Sequence, residues 1–258
     1  MTSIQWFPGH MAKTKRILKE YLRFADLLLV TVDARAPQSS FDRGMIPPGK
    51  DAMIVFTKTD LADPKLTSGW KAWFSDQGYA VARSKKEALD TLKQKAPKSR
   101  KPVRIVVVGL PNVGKSTLIN ELAHGKKTRT GAIAGITRGP QWVKIEERFY
   151  LLDTPGVFFP QNVSDERAWR LAAIAVVPDK VYRDRILEIA ELLWNYLKEH
   201  DREFSDAPDD FLVFIEAFGK KRGTLLKGGA INIEDAARRF IAEFQKGRLG
   251  RISLESVS

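Results

Sequence analysis

The strongest constraint in this chain is a phosphate-loop pattern, and it lies in mid-sequence. Gly109-Leu110-Pro111-Asn112-Val113-Gly114-Lys115-Ser116 follows the apolar run Ile105 to Val108 and precedes a helix-like stretch from Thr117 to Ala123. Strand, glycine-bearing turn and helix together let consecutive backbone N–H groups curl around phosphates. Lys115 supplies a point charge to the outer phosphates and the Ser116 hydroxyl a ligand for Mg²⁺, with Asn112, Val113, Gly114 and Thr117 completing the cradle. The pattern predicts an α/β fold built on a mostly parallel sheet, with a nucleotide as its ligand. An accidental match in an ordinary loop is the alternative, and the strand before and helix after weigh against it.

Residues 1–108 come before this loop, whereas a nucleotide domain of ordinary order opens with it. Those residues hold the parts that would otherwise follow. Ile54 to Phe56 is a strand tail leading into Thr57-Lys58-Thr59-Asp60, a base-recognition motif of the N-K-x-D form with its first residue changed. The Asp60 carboxylate matches the adjacent N1–H and N2–H₂ donors of guanine, a pair that adenine lacks, so the motif selects GTP over ATP. Lys58 is expected along the base face. Taken alone this motif is a weak signal that reads more readily as a solvated surface turn, and it gains weight from the phosphate loop. Ser84-Lys85, after Tyr79 to Val81, takes the place of the loop that packs its backbone on the guanine edge.

Downstream, Phe149 to Leu152 runs into Asp153-Thr154-Pro155-Gly156, the form of a second switch. Asp153 is expected to hold Mg²⁺ through water and the Gly156 N–H to sense the γ-phosphate. Between the two, Gly135-Ile136-Thr137-Arg138-Gly139 occupies the place of a first switch; Thr137 is either a second hydroxyl on Mg²⁺ or a plain loop residue. The order is therefore base recognition, base edge, phosphate loop, first switch, second switch. This is a circular permutation, which exposed, adjacent termini tolerate. The charged, prolyl run Lys93 to Pro102 reads as the splice.

After Gly156 the apolar spacing turns helical, over Glu166 to Val177, Tyr182 to His200, Asp209 to Phe218 and Ile233 to Gln245. We expect a permuted nucleotide domain over residues 1–163 and a smaller all-helical domain over 164–258. Ala12 to Ala25 is amphipathic and expected to cover the sheet rather than lie on a membrane surface. Asp33-Ala34-Arg35-Ala36-Pro37 closes the strand Leu27 to Val32; Arg35 either faces phosphate or RNA, or pairs with Asp33 or Asp42. Trp169, Trp194 and Tyr196 read as core or domain interface.

The formal net charge of +12 is unevenly spread. Through Gly156 there are 27 Lys and Arg against 14 Asp and Glu; beyond it, 16 against 17, with the basic excess of that part confined to Phe211 to Ile252. Such an excess points to a polyanionic partner, RNA before membrane, against the alternative of a solvated charged surface. Basic and aromatic residues interleave in Phe218-Gly219-Lys220-Lys221-Arg222 and Arg238-Arg239-Phe240, as a phosphate-binding surface needs. No cysteine is present, and His10, His124 and His200 are too scattered for a zinc cluster. With neither a signal-peptide core nor an apolar run of membrane-spanning length, a cytoplasmic protein that is not membrane-bound is expected.

Joined to Trp6-Phe7-Pro8-Gly9-His10-Met11, the Asp33–Pro37 turn and Gly228-Gly229-Ala230-Ile231-Asn232, the permuted order resembles the ribosome biogenesis GTPase A family of circularly permuted GTPases, from residue 5 to about 255. The resemblance implies a monomeric, Mg²⁺-dependent GTPase acting late in maturation of the bacterial large (50S) subunit. It implies ribosomal RNA and proteins of the precursor as partners, and turnover stimulated by the particle. A GTPase of RNA modification or translation, and an RNA-binding module indifferent to nucleotide, are the rival readings. The family's usual asparagine is replaced by Thr57, which implies weaker nucleotide affinity. Val157 stands where many GTPases carry a water-orienting glutamine, so His10 is the natural substitute, the alternative being a histidine that merely follows a Pro-Gly turn. Asn112 is similar to the asparagine that helps hold K⁺ against the phosphates in potassium-activated GTPases; otherwise it caps the turn.

Overall fold

A computed structural model describes residues 11–96, 101–123, 142–146, 148–154, 163–226 and 228–257. Two compact units emerge: one from Phe7–Gln161 with Glu255–Ser258, the other from Met1–Trp6 with Asn162–Leu254.

The first unit is built on a six-stranded sheet in the order β3-β2-β1-β4-β6-β5. Its strands are β1 (Leu27–Asp33), β2 (Ala52–Thr57), β3 (Ala80–Ala82), β4 (Val103–Val108), β5 (Trp142–Lys144) and β6 (Phe149–Asp153). All neighbours are parallel except β5, which runs antiparallel to β6 with Trp142 opposite Leu152. The central strands are apolar at nearly every position because both of their faces are covered, as a parallel sheet requires. On one face Leu29, Val55, Ile105 and Val107 pack with Leu92 and Leu118 of the helices α4 (Lys85–Lys95) and α5 (Lys115–Leu122). On the other, Phe56 meets Phe74 of α3 (Pro64–Asp76) edge-on at 5.9 Å. The amphipathic α1 (Met11–Phe24) buries Leu18 and Leu22, and the short α2 (Pro37–Ser40) follows β1.

Order along the sheet differs from order along the chain at one place that matters. β1 and β4 lie side by side, with Leu27 opposite Ile105 and Val30 opposite Val108. The Thr31 hydroxyl even donates to the Val108 carbonyl, 77 positions further along the chain. The strands then continue outward in both directions, which makes β1/β4 the crevice where open α/β sheets bind ligands beyond their carboxyl ends. The expected splice is shorter than the sequence implied. Lys93 to Lys95 belong to α4, whose hydrophilic sequence buries only Ala88 and Leu92.

The second unit is helical, with α6 (Asp165–Ala173), α7 (Ile186–His200), α8 (Phe211–Arg222) and α9 (Ile233–Gln245). Trp169 and Trp194 are buried in it, the latter against Phe211 and Phe214. One expectation needs correcting. Phe240 is fully buried and belongs to the unit's core, with the half-buried Phe218 and Phe214 packed edge-on against it, so its ring is not part of a phosphate-binding surface. Arg222 and Arg239 both turn to the buried Glu243 carboxylate, and Arg238 to Asp235. Lys220 and Lys221 remain exposed. Among the described residues no helix is long and apolar enough to cross a membrane.

Candidate functional site

The loop from Gly109 to Gly114 joins β4 to α5 at the carboxyl edge of the sheet. Its shape follows from three residues. Gly109 lies so close to β1 that a Cβ would fall 2.2 Å from Thr31 Oγ1 and 2.9 Å from the Thr31 carbonyl oxygen, so only glycine fits. Asn112 and Gly114 have φ of 58° and 90°, and this left-handed backbone on either side of Val113 folds the chain into a tight arch. Lys115 opens α5 with its side chain buried, and Nζ donates to the Leu110 carbonyl at 2.8 Å, which sets the ammonium against the loop. Val113 is buried and contributes backbone; Ser116 and Thr117, in the first turn of α5, are exposed.

The residues of the base-recognition motif follow β2 and reach the same place. Val55 to Asp60, Arg83 to Lys85, and Gly114, Thr117, Leu118 and Glu121 of the phosphate-loop helix line one cavity of about 170 Å³. Segments centred on Asp60, Ser84 and Thr117 thus converge, as the permuted order requires. Ser84 also shapes the helix that follows, because its hydroxyl accepts from the Glu87 N–H and caps α4.

Thr57 ties the two loops together. Its Oγ1 lies within hydrogen-bonding reach of the carbonyl oxygens of Val32 and Val113, so its proton serves one or the other. Its Cβ also sits 3.2 Å from where a Gly114 Cβ would be. The hydroxyl therefore keeps a link to the phosphate loop even though the amide of an asparagine is missing.

One residue that supports the cavity is only partly legible in the sequence. Asp33, at the end of β1, has no exposed surface, and its carboxylate receives Arg35 Nη2 and Lys58 Nζ, each at 2.8 Å. Arg35 also donates from Nε at 2.9 Å and is itself buried, which makes it a partner of Asp33 rather than of phosphate or RNA. Burial pushes the Asp33 carboxyl upward, but the charges and hydrogen bonds of Arg35 and Lys58 outweigh it and hold the group below its ordinary value of 3.8. The Asp33–Arg35 spacing is a visible signal. The Lys58 pairing is not, because it joins the ends of neighbouring parallel strands.

β6 brings the second-switch segment alongside β4, with Asp153 opposite Val107. The buried Thr154 donates from Oγ1 to the Val107 carbonyl at 2.6 Å, fixing the start of that segment beside the phosphate loop. The Asp153 side chain, and His10, Thr137 and Gly156 altogether, lie outside the described residues.

Comparison with known proteins bears on the whole chain. A family model described as a 50S ribosome-binding GTPase matches residues 104–209, beginning at the second residue of β4. The ribosome biogenesis GTPase A of Priestia megaterium is 33% identical, with 99% of this chain and 98% of that one aligned. The protein of the same name from Thermotoga maritima is 34% identical over 98% of this chain and 94% of its own. A crystal structure of GNP-bound YlqF from T. maritima superposes with a TM-score of 0.76 at 31% identity, covering 95% of this chain and 98% of that one. A GDP-bound YlqF structure gives 0.75 at the same identity, covering 93% and 98%. With the permuted strand order, the converging loops and relatives matched nearly end to end, the chain belongs to the ribosome biogenesis GTPase A family of circularly permuted GTPases.

Proposed function

We propose that this GTPase acts in the cytoplasm at a late step of large (50S) subunit maturation, binding ribosomal RNA on the precursor while it carries GTP and leaving after hydrolysis. The observation that carries the reading is the single cavity in which Thr57–Asp60 and Ser84-Lys85 face Gly114 and Thr117. In it, Asp60 accepts from the guanine N1–H and N2–H₂, Lys58 lies along the base, Thr59 keeps the turn between them, and the backbone of Ser84-Lys85 borders the base edge. The phosphates lie in the arch of residues 112–117, where backbone N–H groups and Lys115 offset their charge.

Ser116, in the first turn of α5, has an exposed hydroxyl, a hard oxygen donor that suits Mg²⁺ better than a softer metal. Ser116 and Thr137 would hold the ion directly and Asp153 through water, and when bound it would neutralise charge on the transferring phosphoryl group. The Gly156 N–H senses the γ-phosphate. His10 accepts a proton from the attacking water or aligns that water, and the Asn112 side-chain carbonyl would hold K⁺, which would supply charge against the phosphates as an arginine finger does in other GTPases. The protein works as a monomer.

The helical unit supplies the contact to RNA phosphates through exposed lysines such as Lys220 and Lys221. Co-sedimentation with precursor and mature large subunits, under a non-hydrolysable GTP analogue, GDP and no nucleotide, tests the whole reading. Retention on precursors with the analogue and release with GDP is the expected result. Equal retention in all three states would leave only an RNA-binding module, and preference for mature ribosomes would move the role to translation.

A further inference from the structure

Glu255 lies far from the nucleotide-reading motifs in sequence yet is buried against the turn that carries Asp33. Its Oε2 accepts from the Gln38 N–H at 2.7 Å and the Ser39 N–H at 3.2 Å; Oε1 accepts from the Ser39 N–H at 3.0 Å and from the Ser39 hydroxyl. Its own carbonyl takes the Trp70 indole N–H of α3 at 3.2 Å. Gln38 and Ser39 stand 217 and 216 positions earlier in the chain. One residue on, the Ser40 hydroxyl accepts from the Asp33 N–H at 2.9 Å and donates to the Ala36 carbonyl at 2.7 Å. The Asp33 carboxylate then holds Lys58, which lines the cavity.

From this continuous run of bonds we infer that Glu255 is a positioning residue of the nucleotide site, an inference that rests on reading the cavity as the guanine pocket. A carboxylate only accepts hydrogen bonds, and the donors of Gln38 and Ser39 converge on it, so it locks residues 37–40. That lock fixes Asp33, and Asp33 fixes the Lys58 ammonium. Its neighbour Leu254 belongs to the helical unit, where the Leu254 carbonyl takes Arg170 Nε at 3.0 Å and the Ser253 carbonyl takes the Tyr196 hydroxyl at 3.1 Å. The chain therefore joins the helical unit to the base side of the site, in addition to the join that follows the second switch.

The test uses the full chain, with affinity read by titrating a fluorescent GDP analogue and competing it with GDP, GTP and ADP, beside the melting temperature of the nucleotide-free protein. Glu255→Gln should weaken GDP and GTP alike by about three- to tenfold, and Ser39→Ala, which removes only one donor, by less. In a Lys58→Ala background the Glu255→Gln effect should vanish, because its route runs through Lys58. A lower melting temperature with unchanged affinity, or an effect that adds in full to Lys58→Ala, would overturn the inference. If Glu255→Gln does not fold, Ser39→Ala in the same two backgrounds decides the matter. Asp60→Ala separates the two readings: lost discrimination between GDP and ADP upholds the guanine pocket whatever Glu255 does, and retained discrimination removes it.

Discussion

At the scale of single residues, the buried Asp33 shows how much can hang on one carboxylate. Replacing it with asparagine leaves the Arg35 guanidinium buried without its counter-charge, and removing one partner of a buried pair costs about 3–5 kcal/mol. The pH dependence follows from the direction of its shift. The folded pKa lies below the unfolded one, so the stabilisation is fully present above about 3.8 and is lost as pH falls through the folded value. Chemical denaturation of Asp33→Asn and wild type should therefore differ most at neutral pH and converge as pH drops below 3.8; a gap independent of pH would mean that the charge contributes nothing. The sequence shows Asp33 beside Arg35 but not beside Lys58. It also shows what Thr57 lacks and not what its hydroxyl supplies, because the Val113 carbonyl lies 56 positions away.

At the scale of elements, what is legible depends on how each one is buried. β1, β2 and β4 are covered on both faces and read as nearly unbroken apolar runs, so the strand before the phosphate loop is plain. By contrast α4 is mostly hydrophilic and buries two side chains, so its end cannot be told from the splice that follows it. α7 begins at Ile186 rather than at Tyr182, because the chain spends Asp179–Val181 and Arg183–Arg185 in short 3₁₀ turns after Pro178. Gly109 is legible as part of a motif, yet its reason is local: β1 approaches so closely that the Thr31 carbonyl oxygen, which cannot move aside like a side chain, would lie 2.9 Å from an added Cβ. Gly109→Ala must push β1 and the loop apart, and overpacking of this kind costs about 1–3 kcal/mol. Nucleotide affinity should fall with it, since the loop that holds Lys115 moves too. Thermal unfolding with nucleotide titration checks this, and an alanine variant with wild-type affinity would show that the β1 contact is not what shapes the arch.

At the scale of the molecule, the permutation and the charge distribution belong together. Moving β1 and β2 to the front leaves β6 as the last strand of the sheet before the helical unit, so the segment proposed to distinguish GTP from GDP leads along the chain into the proposed RNA-binding part. The packing of Phe218 and Phe240 in that part changes the kind of recognition to expect. With Phe240 committed to the core and the half-buried Phe218 lying under Arg222, affinity is expected to come chiefly from ammonium groups on phosphates, and that mode releases counterions. Binding to precursor particles in the GTP-bound state should then weaken linearly on logarithmic axes as salt rises, with a slope of about 0.7–0.9 per phosphate neutralised. Lys220 and Lys221 are exposed at the end of α8, whereas Arg222 is held by Glu243. Converting both lysines to alanine should make the slope shallower by roughly 1.4–1.8 and weaken binding at low salt much more than at high salt. Because both side chains project from the surface, the melting temperature should stay close to that of the wild type. An unchanged slope would direct the search for the RNA contact to the more basic nucleotide unit, where most of the chain's positive excess lies.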